Sequence, residues 1–171
     1  IENETILSDG DMVAFIRLGN DLSENYYEVQ IPLNPTSFGS TSPEDIWPIE
    51  NRLLLPFELL QQVKALALGD PNNVPNETTY FMQSELDPGY SGPENELRIG
   101  IKGNPSFGNV RTIMLGVRNN TTNEICGETW FNELRMTELD NQGGWAAVAS
   151  MDVNFADFAT VSATGSKSTV G

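Results

Sequence analysis

The sequence predicts a mainly β protein, an antiparallel β-sandwich with one helix followed by a β-hairpin of the transmembrane-barrel type. Short segments of alternating apolar and polar residues recur along the chain, separated by Gly, Asn and Pro, as in antiparallel sandwiches. One segment instead has the apolar period of a helix. The stretch from Gly143 to Thr169 holds only three charged residues, although 19% of the whole chain is charged.

The first two strands are predicted as a hairpin. Residues 11–18, DMVAFIRL, alternate and contain the β-branched and aromatic residues that strands favour. A turn-like GNDLSEN follows, and then YYEVQIPL places Tyr27, Val29, Ile31 and Leu33 on one face. Two such runs joined by a short polar loop indicate antiparallel pairing.

A helix is predicted near residues 56–68, within LLLPFELLQQVKALALG. Pro56 stands where a first helical residue is expected, and Gly69 lies just past the end. Its apolar stripe consists of Leu59, Leu60, Val63 and Ala67. We expect this stripe to lie across the open side of a sheet.

Strands are predicted again at LRIGIKG, VRTIMLGVR and EICGETWFNELRM. The last of these places six alternate residues on one face: Cys126, Glu128, Trp130, Asn132, Leu134 and Met136. We interpret Cys126 as a small core residue. The order of glycine, acidic residue, aromatic pair and NELRM resembles the closing strand of jelly-roll, galactose-binding-like sandwiches. Residues 1–139 are therefore predicted as a jelly-roll-like domain.

Residues 140–171 are predicted as a pair of barrel strands, 145–155 and 158–168. Trp145 and Phe155 lie about 34 Å apart along an extended strand, which a tilt of about 45° converts to roughly 24 Å of depth. This matches an apolar band of about 25 Å. The predicted lipid-facing residues are Trp145, Ala147, Ala149, Met151, Val153 and Phe155. The predicted lumen-facing residues are Ser150, Asp152, Asn154, Thr160, Ser162 and Thr164.

An ordinary sandwich hairpin with one solvated face is the alternative for this stretch. The lack of Lys and Glu between residues 145 and 166 favours the barrel, because solvated strands usually carry both. A lone hairpin leaves unpaired edges that lipid does not tolerate. We therefore expect the remaining strands to come from the rest of a parent chain. The start at Ile1, without an initiator Met, fits a fragment of a larger barrel protein.

Charge and composition exclude several classes of function. A formal charge of -15 repels phosphate backbones, so no nucleic-acid partner is expected. The chain has no histidine, the usual general base and zinc ligand, and we expect no catalytic site, metal or cofactor. Oxygen-rich stretches at 8–11 and 69–73 lack the spacing of a calcium loop, which leaves calcium a minor possibility. No apolar run is long enough for a transmembrane helix.

The C-terminal residues GETWFNELRMTELDNQGGWAAVASMDVNFADFATVSATGSKST resemble the SprA/Sov family, the outer-membrane translocon of the type IX secretion system in Bacteroidota. The specific part of this resemblance is WFNELR followed by GGWAA. FADF, residues 155–158, departs mildly from an LADF-like turn. Upstream, FIRLGNDLSENYYEVQIPL also resembles the family, so the similarity touches both ends of the chain.

The resemblance implies a structural part of a protein-export channel that passes folded cargo proteins. It also implies a PorV-like barrel partner, a periplasmic plug protein and a link to gliding motility. The sandwich would then lie on the periplasmic side, the outer side or in the lumen of a Gram-negative outer membrane.

Two other hypotheses remain open. The first is a surface jelly-roll glycan-binding module, for which the candidate residues are Tyr26, Tyr27, Trp47, Tyr80 and Tyr90. The second is a glycosidase with two carboxylates, although the sequence singles out no such pair.

Overall fold

The computed structural model describes residues 7–71, 76–136, 145–155 and 159–169. The chain divides into two compact units, residues 1–129 and 130–171, which are described separately below. Part of the 69–73 stretch lies outside the described residues.

The first unit contains one five-stranded antiparallel sheet in the order β3-β4-β2-β1-β5. Its strands are β1 (Met12–Gly19), β2 (Tyr26–Leu33), β3 (Thr79–Met82), β4 (Arg98–Lys102) and β5 (Thr112–Asn119). Its helices are α1 (Pro43–Ile46), α2 (Phe57–Gly69) and α3 (Gln83–Leu86), with 3-10 turns at Ile49–Asn51 and Phe107–Asn109.

The β1–β2 hairpin forms at the predicted place because its loop is closed by one side chain. Asp21 Oδ1 accepts the backbone N–H groups of Ser23, Glu24 and Asn25, which is the local bonding that favours Asp in turns. These bonds from Glu24, Asn25 and Ser23 hold the pKa of Asp21 well below its usual range. The register then runs from Gly19 opposite Tyr26 to Met12 opposite Leu33.

Helix α2 covers one face of the sheet and forms the core with it. Its buried residues are Leu59, Leu60, Val63 and Ala67, as the apolar stripe predicts. The buried apolar residues of the strands that belong to this core are Ile16, Leu18, Tyr27, Val29, Ile31, Ile99 and Ile101. Tyr27 stacks on Phe107, with ring centroids 4.9 Å apart, and so ties the second 3-10 turn to β2. The opposite face of the sheet carries both polar and apolar residues, among them Arg17, Glu28 and Gln30.

The strand predicted at EICGETWFNELRM is wrong, because residues 124–136 contain no helix or strand. Cys126 is exposed, so its interpretation as a core residue is also wrong. Alternation was present, but charges occupy both sides of it: Glu124 and Glu128 on one, Glu133 and Arg135 on the other. Neither face can be buried without desolvating a charged side chain. Within the described residues of the first unit, the layers are helix on sheet, and the second sheet of a sandwich is not confirmed.

The second unit contains two antiparallel strands, β6 (Trp145–Phe155) and β7 (Ala159–Thr169). They pair along their full length, from Trp145 opposite Thr169 to Phe155 opposite Ala159. β6 has the predicted bounds, whereas β7 starts one residue later than predicted. The FADF turn lies mostly outside the described residues. No helix in the described ranges is long and apolar enough to cross a membrane.

Candidate functional site

The register of the β6–β7 hairpin determines which predicted site residues share a face. Residues directly opposite each other in an antiparallel pair lie on the same side of the sheet. Three register pairs join the predicted lumen-facing residues: Ser150 with Thr164, Asp152 with Ser162 and Asn154 with Thr160. The two halves of the predicted polar face therefore occupy matching positions.

Most residues of the predicted apolar face on β6 also lie opposite small or apolar residues of β7. Ala149 lies opposite Gly165, Met151 opposite Ala163 and Val153 opposite Val161. The pair Ala147 and Lys167 falls in this series near the Trp145 end of the hairpin. Whether either face meets lipid or water stays a prediction.

The second polar site lies on the face of the five-stranded sheet opposite helix α2. Its centre is Glu28 in the middle strand β2, which is 3% exposed. Arg17, directly opposite on β1, forms an ion pair with it and donates from Nε to Oε2 at 2.8 Å. Tyr80 on β3 donates its hydroxyl to Glu28 Oε1 at 2.6 Å, and Gln30 donates Nε2 to the same oxygen at 2.5 Å.

Burial raises the pKa of Glu28, but the hydrogen bonds from Tyr80 and Gln30 and the Arg17 guanidinium outweigh it and leave the pKa below its ordinary value. The carboxyl group is therefore ionised at neutral pH. Burial, together with the Glu28 charge, raises the pKa of Tyr80 to about 12 and keeps its hydroxyl as a donor. The buried carboxylate of Glu28 thus has a cationic partner, Arg17, and hydrogen-bond donors on both oxygens, as a buried ion requires.

Gly100 of β4 makes room for this arrangement. It lies between Glu28 and Tyr80 in the register, opposite both. A side chain there would collide with the Tyr80 ring, because an added Cβ meets Tyr80 Cε1 at 2.5 Å. The Tyr80 ring thus crosses over the glycine to reach Glu28.

Sequence reasoning missed this network because Glu28 and Tyr80 are 52 residues apart and meet only through the sheet. One signal was present: the positions of β1 and β2 between their core residues carry Arg17, Glu28 and Gln30. Opposite charges at alternating positions of adjacent strands indicate cross-strand pairs.

The aromatic residues considered for glycan binding do not form one exposed platform. Tyr26 and Tyr27 are buried, the latter in the core under α2. Two of the other hydroxyls are used internally, Tyr80 on Glu28 and Tyr90 on Glu94 Oε2 at 2.8 Å. Trp47 is 45% exposed and lines a separate open groove of about 910 Å³.

That groove is acidic: its lining includes Asp9, Glu44, Asp45 and Glu50. Within the described ranges, no group of three or more His, Cys, Asp or Glu side chains is placed to hold a metal ion. The stretch 8–11 has a local role instead, since Asp11 Oδ2 accepts the N–H of Ser8 at 2.8 Å.

Comparison with known protein families gives a match over the whole chain. The family model SprA_N, described as a motility related/secretion protein, matches residues 1–171. A search of curated proteins finds no match to this sequence.

Proposed function

The chain belongs to the SprA_N family of motility-related secretion proteins, and we propose that it is a structural part of an outer-membrane protein-export channel, the type IX secretion translocon. The family is one of motility and secretion, not one of enzymes. The proposed role is accordingly to form part of the wall of a pore, with no reaction catalysed.

The observation that carries the proposal is the β6–β7 hairpin. Each strand has 11 residues, and a tilted transmembrane β-strand needs about 9–11. All 11 positions of one strand pair with the other, which satisfies the backbone groups on the shared edge. One face carries mainly apolar and small residues, with Lys167 near one end, and the other carries mainly small polar residues, with Ala146 and Val148 near the same end. This division is the one expected of barrel strands.

Closure of the barrel requires strands beyond this hairpin. An open sheet edge does not occur in the hydrocarbon region, so the outer edges of β6 and β7 must pair with strands from the rest of the parent chain. The further partners proposed are a PorV-like barrel protein, a periplasmic plug protein and folded cargo proteins in transit, with lipid around the hairpin. The location proposed is a Gram-negative outer membrane, in Bacteroidota, with the first unit periplasmic, extracellular or lumenal.

A pair of arginine substitutions in the full-length parent tests the proposal. Ala149→Arg places a charge on the face proposed for lipid, near mid-membrane, and should cost about 2–4 kcal/mol of folding free energy. Ser150→Arg, one residue away on the face proposed for water, should cost much less. The measurement is the amount of folded protein in the outer membrane. Equal tolerance at the two positions would reject a lipid-exposed hairpin.

A further inference from the structure

Two arginines on the polar face of the five-stranded sheet have no carboxylate partner among the described residues. Arg98 lies on β4 and Arg118 on β5. The ion pairs of the described chain use other cations: Arg17 with Glu28, Arg52 with Glu94, Lys102 with Glu24 and Arg135 with Glu133. The chain has 24 acidic and nine basic residues, and these two positive charges lie on strands that β2 and β1 separate in the sheet.

The buried network around Glu28 holds both guanidinium groups in place. The Arg98 guanidinium stacks on the Tyr80 ring, 4.1 Å from its centroid, and Tyr80 is fixed by its bond to Glu28. Arg118 Nη2 donates to Gln30 Oε1 at 3.1 Å, and Gln30 is fixed by the same carboxylate. Gln30 is only 2% exposed, so this support is part of the interior. Less side-chain entropy is lost when pre-positioned groups bind a ligand.

The two arginines line one groove of about 280 Å³. Its apolar lining residues are Val13, Pro32 and Met82, and its remaining polar ones are Gln30, Glu96 and Asn120. Glu96 Oε1 already accepts the backbone N–H of Ser84 at 2.9 Å. The lining of the groove therefore combines two guanidinium groups, three apolar residues and one acid, Glu96.

We propose that this groove binds a carboxylate group carried on an acidic peptide segment. A guanidinium group matches a carboxylate with two parallel N–H donors, and such charge-assisted bonds are the strongest of their kind. The groove, at about 280 Å³, has room for a side chain that carries a carboxylate. The apolar lining residues Val13, Pro32 and Met82 suit an aliphatic neighbour of the acid. The strongly negative remainder of the chain disfavours binding of an acidic peptide to most of the rest of the surface.

Fluorescence anisotropy with three labelled peptides tests the proposal on the 171-residue chain in a non-ionic detergent. The first peptide, Gly-Leu-Glu-Leu-Glu-Gly amide, carries side-chain carboxylates only. The second has Gln in place of Glu and no carboxylate. The third has the Gln sequence with a free C-terminal carboxylate. We expect the first peptide to bind and the second not to bind.

Substitutions locate the binding. Arg98→Gln and Arg118→Gln should each weaken binding of the Glu peptide by roughly ten- to hundredfold, as loss of a charge-assisted bond does. The matched control is Arg111→Gln, because Arg111 lies outside the groove and its side chain donates Nε to Asn109 Oδ1 at 3.1 Å. It should change the affinity by less than about twofold.

Glu96→Gln provides a test that misfolding cannot imitate. The amide oxygen can still accept the Ser84 N–H, but the competing negative charge is gone, so the Glu peptide should bind about threefold or more tightly. Binding of the third peptide at the strength of the first would support the site and identify a chain terminus as its ligand. Equal binding of the Gln amide peptide, equal effects of the three arginine variants, or no binding at about millimolar protein would overturn the proposal.

Discussion

At the scale of single residues, Glu28 is the group on which the polar face depends. It lies in the central strand, it is 3% exposed, and it accepts bonds from β1, β3 and its own strand. A buried carboxylate of this kind is stable only while its donors remain, because its desolvation is costly. Removing its charge takes away the ion-pair partner of Arg17. The Arg17 side chain is 24% exposed, so water can still solvate its guanidinium group.

Glu28→Gln is therefore expected to lower the free energy of unfolding by about 2–3 kcal/mol, less than a fully buried pair would lose. The measurement is urea unfolding of the 171-residue chain in a non-ionic detergent. Glu133→Gln is the control, since the ion pair of Glu133 with Arg135 is exposed on both sides and should contribute less than about 1 kcal/mol. Similar losses for the two variants would show that Glu28 acts as a surface charge.

At the scale of elements, the sequence predicts those whose local pattern agrees with their packing. β1, β2 and α2 belong to this class, because alternation in the first two and the 3.6-residue stripe in the third mark the buried side of each. The strand prediction at 124–136 is wrong because alternation alone does not make a strand when charges lie on both faces. The short β3 was not predicted, since its four residues are too few to show a period.

The neighbours of a strand could not be predicted either, because pairing joins residues far apart in the chain. β1 pairs with β5 across about a hundred residues, and β2 pairs with β4. The close approach of Tyr80 to Gly100 arises from such pairing. In the sequence this glycine is only a break in the apolar strand RIGIK.

Gly100→Ala is expected to destabilise the first unit by about 1–3 kcal/mol, the usual cost of inserting a methyl group into a packed site. The added Cβ would collide with the Tyr80 ring, and the ring must then leave Glu28. Chemical denaturation measures the loss, and the ring movement should appear as a change in the Tyr80 NMR signals. Gly127→Ala is the control, because no atom lies within 4 Å of a Cβ placed there. A neutral Gly100→Ala variant would contradict the packing described.

At the scale of the whole molecule, two electrostatic effects act in opposite directions. A formal charge of -15 repels itself, and this repulsion decreases when carboxylates are protonated. Acidification also removes specific bonds. The pKa of Glu28 is lowered as described, that of Glu94 is lowered by its bonds from Arg52 and Tyr90, and that of Glu96 by its bond from Ser84. Salt screens the self-repulsion strongly, whereas it screens the bonds of the buried carboxylates much less.

The stability of the first unit at high salt is therefore expected to fall as the pH decreases below about 5. The sign follows from the lowered pKa values. A carboxyl group with a lowered folded-state pKa contributes its full stability above its unfolded-state value. That contribution is lost as the pH falls through the folded-state value.

Denaturation at about 0.5 M salt, where self-repulsion is screened, should show the loss. In the Glu28→Gln variant the free energy of unfolding should change less with pH. The reason is that Glu28, the most buried of the three glutamates, no longer titrates. A stability that increases on acidification at high salt, or an unchanged slope in the variant, would show that self-repulsion and not the Glu28 network governs the acid response.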